Sequence, residues 1–174
     1  GSGLVRADLM VKLAGEEASV ELAGLTLGRA SSHADLTLVI DHVVPRCRSR
    51  ELFKCVLDDE ARAVFQGKVI VRPQAQKSDG KQMAQALMLS PNAEFDSKPE
   101  LEIHADDVVC GHGSTAAELD GDQMFYLRAR GIPTDEARAL LVEAFIGEAI
   151  ENVAHAGVRE ALRQRAGQWL RQKA

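Results

Sequence analysis

The sequence predicts a mainly β protein with an α-helical C-terminus, and three observations carry that prediction. The first two thirds hold a succession of short apolar or alternating runs, "DLMVKL", "SVELAGL", "DLTLVI", "LFKCVL", "ARAVFQGKVIV", "QALML" and "LEI", each of strand length. Gly, Asp, Ser and Pro turn signals separate them, and acid-rich turns such as "AGEE" and "LDDEA" break the runs. After Ser114 the apolar period changes to that of a helix and stays so to the end. Strand spacing of roughly 10 to 17 residues is too long for uniform tight hairpins. Pattern alone leaves two architectures open, an antiparallel sandwich or a parallel β-helix.

Three helices are predicted. Asp120 is placed to cap the first, with Gln123 where it would complete a capping box and Gly131 as the stop. Thr134 is the expected N-cap of the second, which carries Asp135 and Glu136 in its first turn, where the helix dipole favours negative charge. That helix is expected to run to about Ala156, which puts His155 near a helix C-terminus. It carries two apolar stripes, Ala137, Leu140, Leu141, Ala144 and Phe145 on one side and Val142, Ile146, Ala149, Ile150 and Val153 on another, so it calls for two neighbours. The last segment places Val158, Ala161, Leu162, Ala166, Trp169 and Leu170 on one face, with "RQR" and "RQK" opposite, and should pack on the second helix as a hairpin. The expected division is a β region over 4–115 and a helical region over 116–174.

Composition bounds the function. With 174 residues and 45% hydrophobic content the chain can bury a core. A net charge of -5 argues against a nucleic-acid or anionic membrane surface, either of which needs clustered Lys and Arg. The longest apolar runs, such as "ALLVEAF", are too short to span a bilayer, and no signal peptide opens the chain, so a cytoplasmic protein is expected. Gly1-Ser2-Gly3 reads as a cloning scar followed directly by a strand, as in a fragment of a longer chain. Such a fragment would present an unpaired strand edge and is expected to associate there or through its last strands, as a possible homodimer.

Cys47, Cys55 and Cys110 are odd in number and lack C-x-x-C spacing, which supports neither a disulfide framework nor a self-contained zinc site. Cys47 and Cys55 are expected to be structural, and His33, His42, His104 and His155 to be satisfied or solvent-facing. The stretch "CGHGS", Cys110 to Ser114, reads in isolation either as a ligand pair or as a glycine-rich turn. No G-x-x-x-x-G-K-[ST] occurs, so a P-loop nucleotide hydrolase is not indicated.

From His42 to Glu148 the chain resembles the SufB/SufD family of iron–sulfur cluster assembly scaffolds, in the C-terminal portion of its SufD form. The strings F-x-G-K-x-x-V, A-Q-K-S-D, K-P-x-L-E-I-x-A-D-D-V, C-x-H-G and F-Y-L-R-x-R-G-I follow one another in the family's order. SufB-like chains carry a cysteine followed by G-A-H-T, whereas this chain carries Cys110-Gly111-His112-Gly113. The resemblance implies a right-handed parallel β-helix followed by a small helical domain, and a scaffold rather than an enzyme. It implies that His112, together with Cys110, belongs to a metal-ligand face shared with a SufB-like chain, where an iron–sulfur cluster forms transiently and none is tightly held by this chain alone. Imidazole can replace thiolate as a cluster ligand, and a ligand set split between two chains is released when they separate. A SufC-like ATPase is the other implied partner, docked through Phe125, Tyr126, Arg128, Leu141, Val142, Phe145 and Ile146. A stand-alone dimerising β-helix module without a metal role is the alternative. A β-helical acyltransferase fits less well because no hexapeptide repeat is present. A carbohydrate-active β-helix would need paired carboxylates on one face, whereas Asp106 and Asp107, being adjacent, would point to opposite faces of a strand.

Overall fold

The computed structural model describes residues 3–172, so Gly1, Ser2 and Lys173 of the readings above lie outside the described residues. Its β region consists of β1 (Leu4–Leu13), β2 (Ser19–Gly28), β3 (His33–His42), β4 (Arg48–Leu57), β5 (Arg62–Val71), β6 (Asp79–Met88), β7 (Glu94–Ile103) and β8 (Val109–Glu118). Three helices follow, α1 (Gly121–Ala129), α2 (Thr134–Glu151) and α3 (Ala156–Arg171). Odd-numbered strands form one sheet in the order β1-β3-β5-β7, and even-numbered strands form another in the order β2-β4-β6-β8. Every pair is parallel, which excludes the antiparallel sandwich and makes the molecule a two-sheet β-solenoid of four turns.

One turn takes 29 residues where Leu4 lies beside His33, and 32 where Arg62 lies beside Glu94. The chain must therefore reverse direction at two corners per turn, and it does so with a repeated backbone device. Glu17, Arg46 and Lys77, one per turn at the same corner, adopt the left-handed conformation with φ of 62°, 60° and 62°. Their amides donate to the next turn, at Pro45 O, Gln76 O and Asp107 O respectively. Ala30 and Asp59 take the same conformation at the opposite corner. The cost of about 1–2 kcal/mol for a non-glycine residue there is offset at Glu17, Arg46 and Lys77 by the turn-to-turn hydrogen bond.

Alternation along the strands sends one set of side chains into the solenoid. Leu38, Ile40, Phe65, Val69 and Val71 meet Phe53 in the interior, where the Phe53 and Phe65 rings lie 5.2 Å apart between the two sheets. Cys47 and Cys55 are buried free thiols, as expected of structural cysteines. The "CGHGS" stretch is not a turn: it forms the first half of β8, an edge strand.

The helices cover part of the outer face of the even-stranded sheet. Val142, Ile146 and Ile150 of α2 share a core with Val56 and Leu87 of the sheet and Ala166 of α3. The expected hairpin of α2 and α3 is present, but several details differ. Helix α2 starts at Thr134 with Pro133 as its N-cap and no side-chain cap, since proline has no side-chain acceptor for the first-turn amides. It stops at Glu151, and His155 is the N-cap of α3, its Nδ1 accepting from the Val158 amide at 3.3 Å. The stripe beginning at Ala137 is not buried as a whole: Ala137 is, but Leu140 is 42% exposed and Ala144 is open, because α2 has one packed side rather than two. Val158, Ala161 and Leu162 on α3 likewise remain exposed beyond the contact with α2.

Three cations fasten this layer to the sheet. Lys54, only 3% exposed, donates to Phe145 O at 2.9 Å, meets Glu148 at 2.5 Å and lies over the Phe145 ring. Arg29 stacks on Trp169 and donates to its carbonyl. Arg138 reaches from α2 to Leu89 O and to Asp58.

Candidate functional site

His112 lies on β8, the last strand of the even-stranded sheet, and is exposed. Its ring makes no hydrogen bond or ion pair with the described residues. Strand alternation puts Cys110 on the same side of β8 as His112, with Gly111 and Gly113 on the other. Cys110 is half-buried and packs against the solenoid core. Its thiol is pushed up above the ordinary range, first by burial and then by the nearby Asp79 and Glu51 carboxylates, against a hydrogen bond from the Gly80 backbone. As it stands, Cys110 is a protonated thiol that a metal would have to deprotonate.

The parallel register sets two rows beneath this pair. Cys110 lies beside Gly80, and Gly80 beside Ser49; His112 lies beside Gln82, and Gln82 beside Glu51. A side chain at Gly80 would meet the Cys110 sulfur and the Ser49 hydroxyl at 3.4 Å, an ordinary contact distance. Glu51 and Gln82 face inward and are 3% and 2% exposed. Burial pushes the Glu51 carboxyl up to about 7, with Ser49, Arg50 and Gln82 alongside offsetting part of that. By strict geometry neither Glu51 oxygen and neither Gln82 amide atom makes a hydrogen bond, although Ser49 and Gln82 lie close enough to the carboxyl to favour its ionised form. His42 belongs to the same interior region: its Nε2 meets Ser49 Oγ at 3.0 Å, its Nδ1 has no partner, and burial depresses its basicity.

On this half of the sheet an open groove of about 820 Å³ crosses β2, β4, β6 and β8 and ends against Asn152–Ala154, between α2 and α3. Glu21, Arg50, Lys81 and Met83 line it, and Gly111 and His112 form its β8 edge. Arg50 is held by Asp79, whose carboxyl is thereby kept below the usual range. Gly113 leaves room for the Met83 thioether, which a side chain at that position would meet at 2.8 Å.

The other residues singled out in the sequence divide by exposure. Phe125 and Tyr126 on α1 are 75% and 56% exposed, Arg128 is exposed, and α1 buries no residue at all. Leu141 and Phe145 are half-buried. Val142 and Ile146 are buried against the sheet and α3, so of the last helix and a partner it is the last helix that they meet within this chain. His104 pairs with Glu102, which Lys68 also holds, so that the Glu102 carboxyl drops to about 2. His33 is half-buried at the start of β3. Among the described residues no group of three or more His, Cys, Asp or Glu side chains could hold a metal ion, and no helix is long and apolar enough to cross a membrane.

The glutamate and glutamine under His112 escape a sequence reading, because charged and amide residues inside alternating strands look solvent-facing. The usable signal is spacing. Glu51, Gln82 and His112 stand 31 and 30 residues apart, one solenoid turn each.

Comparison with known proteins agrees with this architecture. Residues 1–145 match the family model of the SUF system FeS cluster assembly, SufBD core domain. An iron–sulfur cluster assembly SufBD family protein of Synechocystis is 39% identical over 166 residues, covering 94% of this chain and 36% of that protein. The iron–sulfur cluster assembly protein SufD of Escherichia coli is 35% identical over 170 residues, covering 98% of this chain and 40% of its own length. The chloroplastic protein ABCI7 of Arabidopsis thaliana is 36% identical over 166 residues, again with 94% of this chain covered and 34% of the relative. The chain thus spans well under half the length of these relatives. A four-turn parallel solenoid with its helical layer, matched by the family model across most of its length, places the chain in the SufBD family of iron–sulfur cluster assembly proteins.

Proposed function

We propose that this chain is the C-terminal portion of a scaffold subunit for iron–sulfur cluster assembly, and that the β8 edge at His112 is its contribution to a ligand face completed by a SufB-like chain. The observation that carries the reading is the state of His112: an exposed imidazole without a partner, on an edge strand, two residues from a half-buried thiol. One imidazole and one protonated thiol do not make a cluster site, so the remaining ligands must come from a second chain. Unpaired backbone groups along β7 and β8 offer that chain strand pairing. The cluster is cargo, formed at the contact and passed on.

The second element of the reading is docking of a SufC-like ATPase. Helix α1 buries nothing of its own and exposes Phe125 and Tyr126, with Arg130 stacked on the tyrosine ring. Aromatic and arginine side chains of this kind are the usual anchors of protein interfaces. Arg128, Leu141 and Phe145 extend the surface, while Val142 and Ile146 support it from within.

The test is anaerobic cluster assembly on the full-length protein with its SufB-like and SufC-like partners, comparing wild type with His112→Ala. The expected result is a complex formed in normal yield with iron and sulfide content reduced at least several-fold. Unchanged iron and sulfide would remove His112 from the ligand face and leave docking as the role of this chain.

A further inference from the structure

The interior row beneath His112 is built against folding energetics. Glu51 and Gln82 occupy inward positions in the middle of two central strands, where the neighbouring inward positions hold Phe53 and Ala84. All four of their polar side-chain atoms are buried without a well-formed hydrogen bond, and the His42 Nδ1 shares that condition across the same interior. Leucine at either position would satisfy the solenoid better. The space around them is specific too: Gly67 on β5 faces the row, and any side chain there would collide with the Gln82 amide. Buried polar atoms of this number are hydrated in folded proteins, by waters that make several hydrogen bonds each.

We propose that Glu51 and Gln82, joined by internal water, form a polar support inside the last turns that positions the His112 ring at the β8 edge. This rests on the reading of His112 as a cluster ligand. Successive members of the row lie one strand spacing apart, so Gln82 is the neighbour of His112 on β6 and Glu51 the neighbour of Gln82 on β4. Glu51 touches no cargo; it acts through the amide and the water it holds. A ligating histidine oriented by a second layer of hydrogen-bonding groups binds metal more tightly and in a fixed direction. The row would supply that layer from within the protein, leaving the outward side of the ring to the partner chain.

The test uses the full-length protein in its assembly complex with four variants, Glu51→Leu, Glu51→Gln, Gln82→Leu and His112→Ala. Glu51→Leu is expected to raise the melting temperature of the protein while lowering iron and sulfide content per complex several-fold. Gln82→Leu should lower cluster content similarly, and Glu51→Gln, which can still hold water, should retain most of it. Long-lived internal water should transfer magnetisation to the Gln82 side-chain amide in wild type and not in Glu51→Leu. Three results overturn the inference: full cluster content in Glu51→Leu and Gln82→Leu when His112→Ala has lost it, a melting temperature and cluster content that fall together in Glu51→Leu and Glu51→Gln, or no internal water at Gln82. Should His112→Ala itself keep the cluster, the reading of His112 fails first, and the water measurement still decides whether the hydrated row exists.

Discussion

The two halves of strand β4 show how differently one sheet can be used. From Phe53 to Leu57 both faces are buried: Phe53, Cys55 and Leu57 pack inside the solenoid, while Lys54 and Val56 lie under α2. From Arg48 to Leu52 no helix covers the outside, the groove runs over Arg50, and the inward positions are Ser49 and Glu51. The same division continues along β6, with Gln82 in one half and Leu87 in the other. On β8 the polar half ends in Cys110 and His112. Apolar packing is concentrated where the helices clamp the sheet, and inward polar side chains where they leave it bare.

This contrast is sharpened first by truncating the clamped half. Leu57 is fully buried between the sheets, so Leu57→Ala should cost about 2–5 kcal/mol in chemical denaturation, with no direct effect on His112. A loss below about 1 kcal/mol would mean that this half is not the stabilising one.

A smaller effect is expected in the polar half, and with a distinctive pH dependence. Folding raises the Glu51 carboxyl from 4.5 to about 7, so the folded state binds its proton more tightly than the unfolded chain does. Its contribution therefore weakens stability as pH rises between those two values, by about 3 to 4 kcal/mol at most, and is flat above them. His42, depressed by burial, acts in the opposite direction, since it must stay neutral in the folded state. Comparing wild type with Glu51→Gln cancels His42: the stability difference in favour of the variant should grow from pH 5 to pH 7.5. A difference that does not change with pH would show that Glu51 is ionised without cost.

The smallest effect on stability belongs to α1. Phe125→Ala and Tyr126→Ala remove exposed rings and should change stability by less than about 0.5 kcal/mol. The same variants should weaken binding of the SufC-like partner by at least tenfold in a pull-down or calorimetric titration. Unchanged partner affinity would shift the docking surface away from α1.

The contrast also explains what could be read from the sequence. In the clamped half, apolar alternation is strong, so "DLTLVI", "LFKCVL" and "ARAVFQGKVIV" mark β3, β4 and β5 directly. Strand β8 carries almost no apolar signal, because glycine, histidine, serine and threonine fill it and nothing covers its far edge; its first half therefore resembles a turn. Corners escaped for a related reason: left-handed backbone is marked by glycine in most sequences, whereas here Glu17, Ala30, Arg46, Asp59 and Lys77 adopt it, with turn-to-turn hydrogen bonds from the Glu17, Arg46 and Lys77 amides. Buried Lys54 and Glu51 follow the polar half of an alternating pattern or interrupt the apolar half, and only the 29- to 32-residue register shows what lies beside them. Family motifs supplied the solenoid that spacing left open, and they brought His112 forward; they carried no information on the row below it.

The most direct test of the central claim, that the β8 edge presents His112 as a cluster ligand, is pulsed EPR on the reduced cluster of the complete assembly complex with isotopically labelled histidine in this chain alone. The account expects a hyperfine coupling to an imidazole nitrogen that disappears in His112→Ala and persists in Leu57→Ala. A cluster that shows no coupling to nitrogen from this chain, or a coupling that survives His112→Ala, would contradict it.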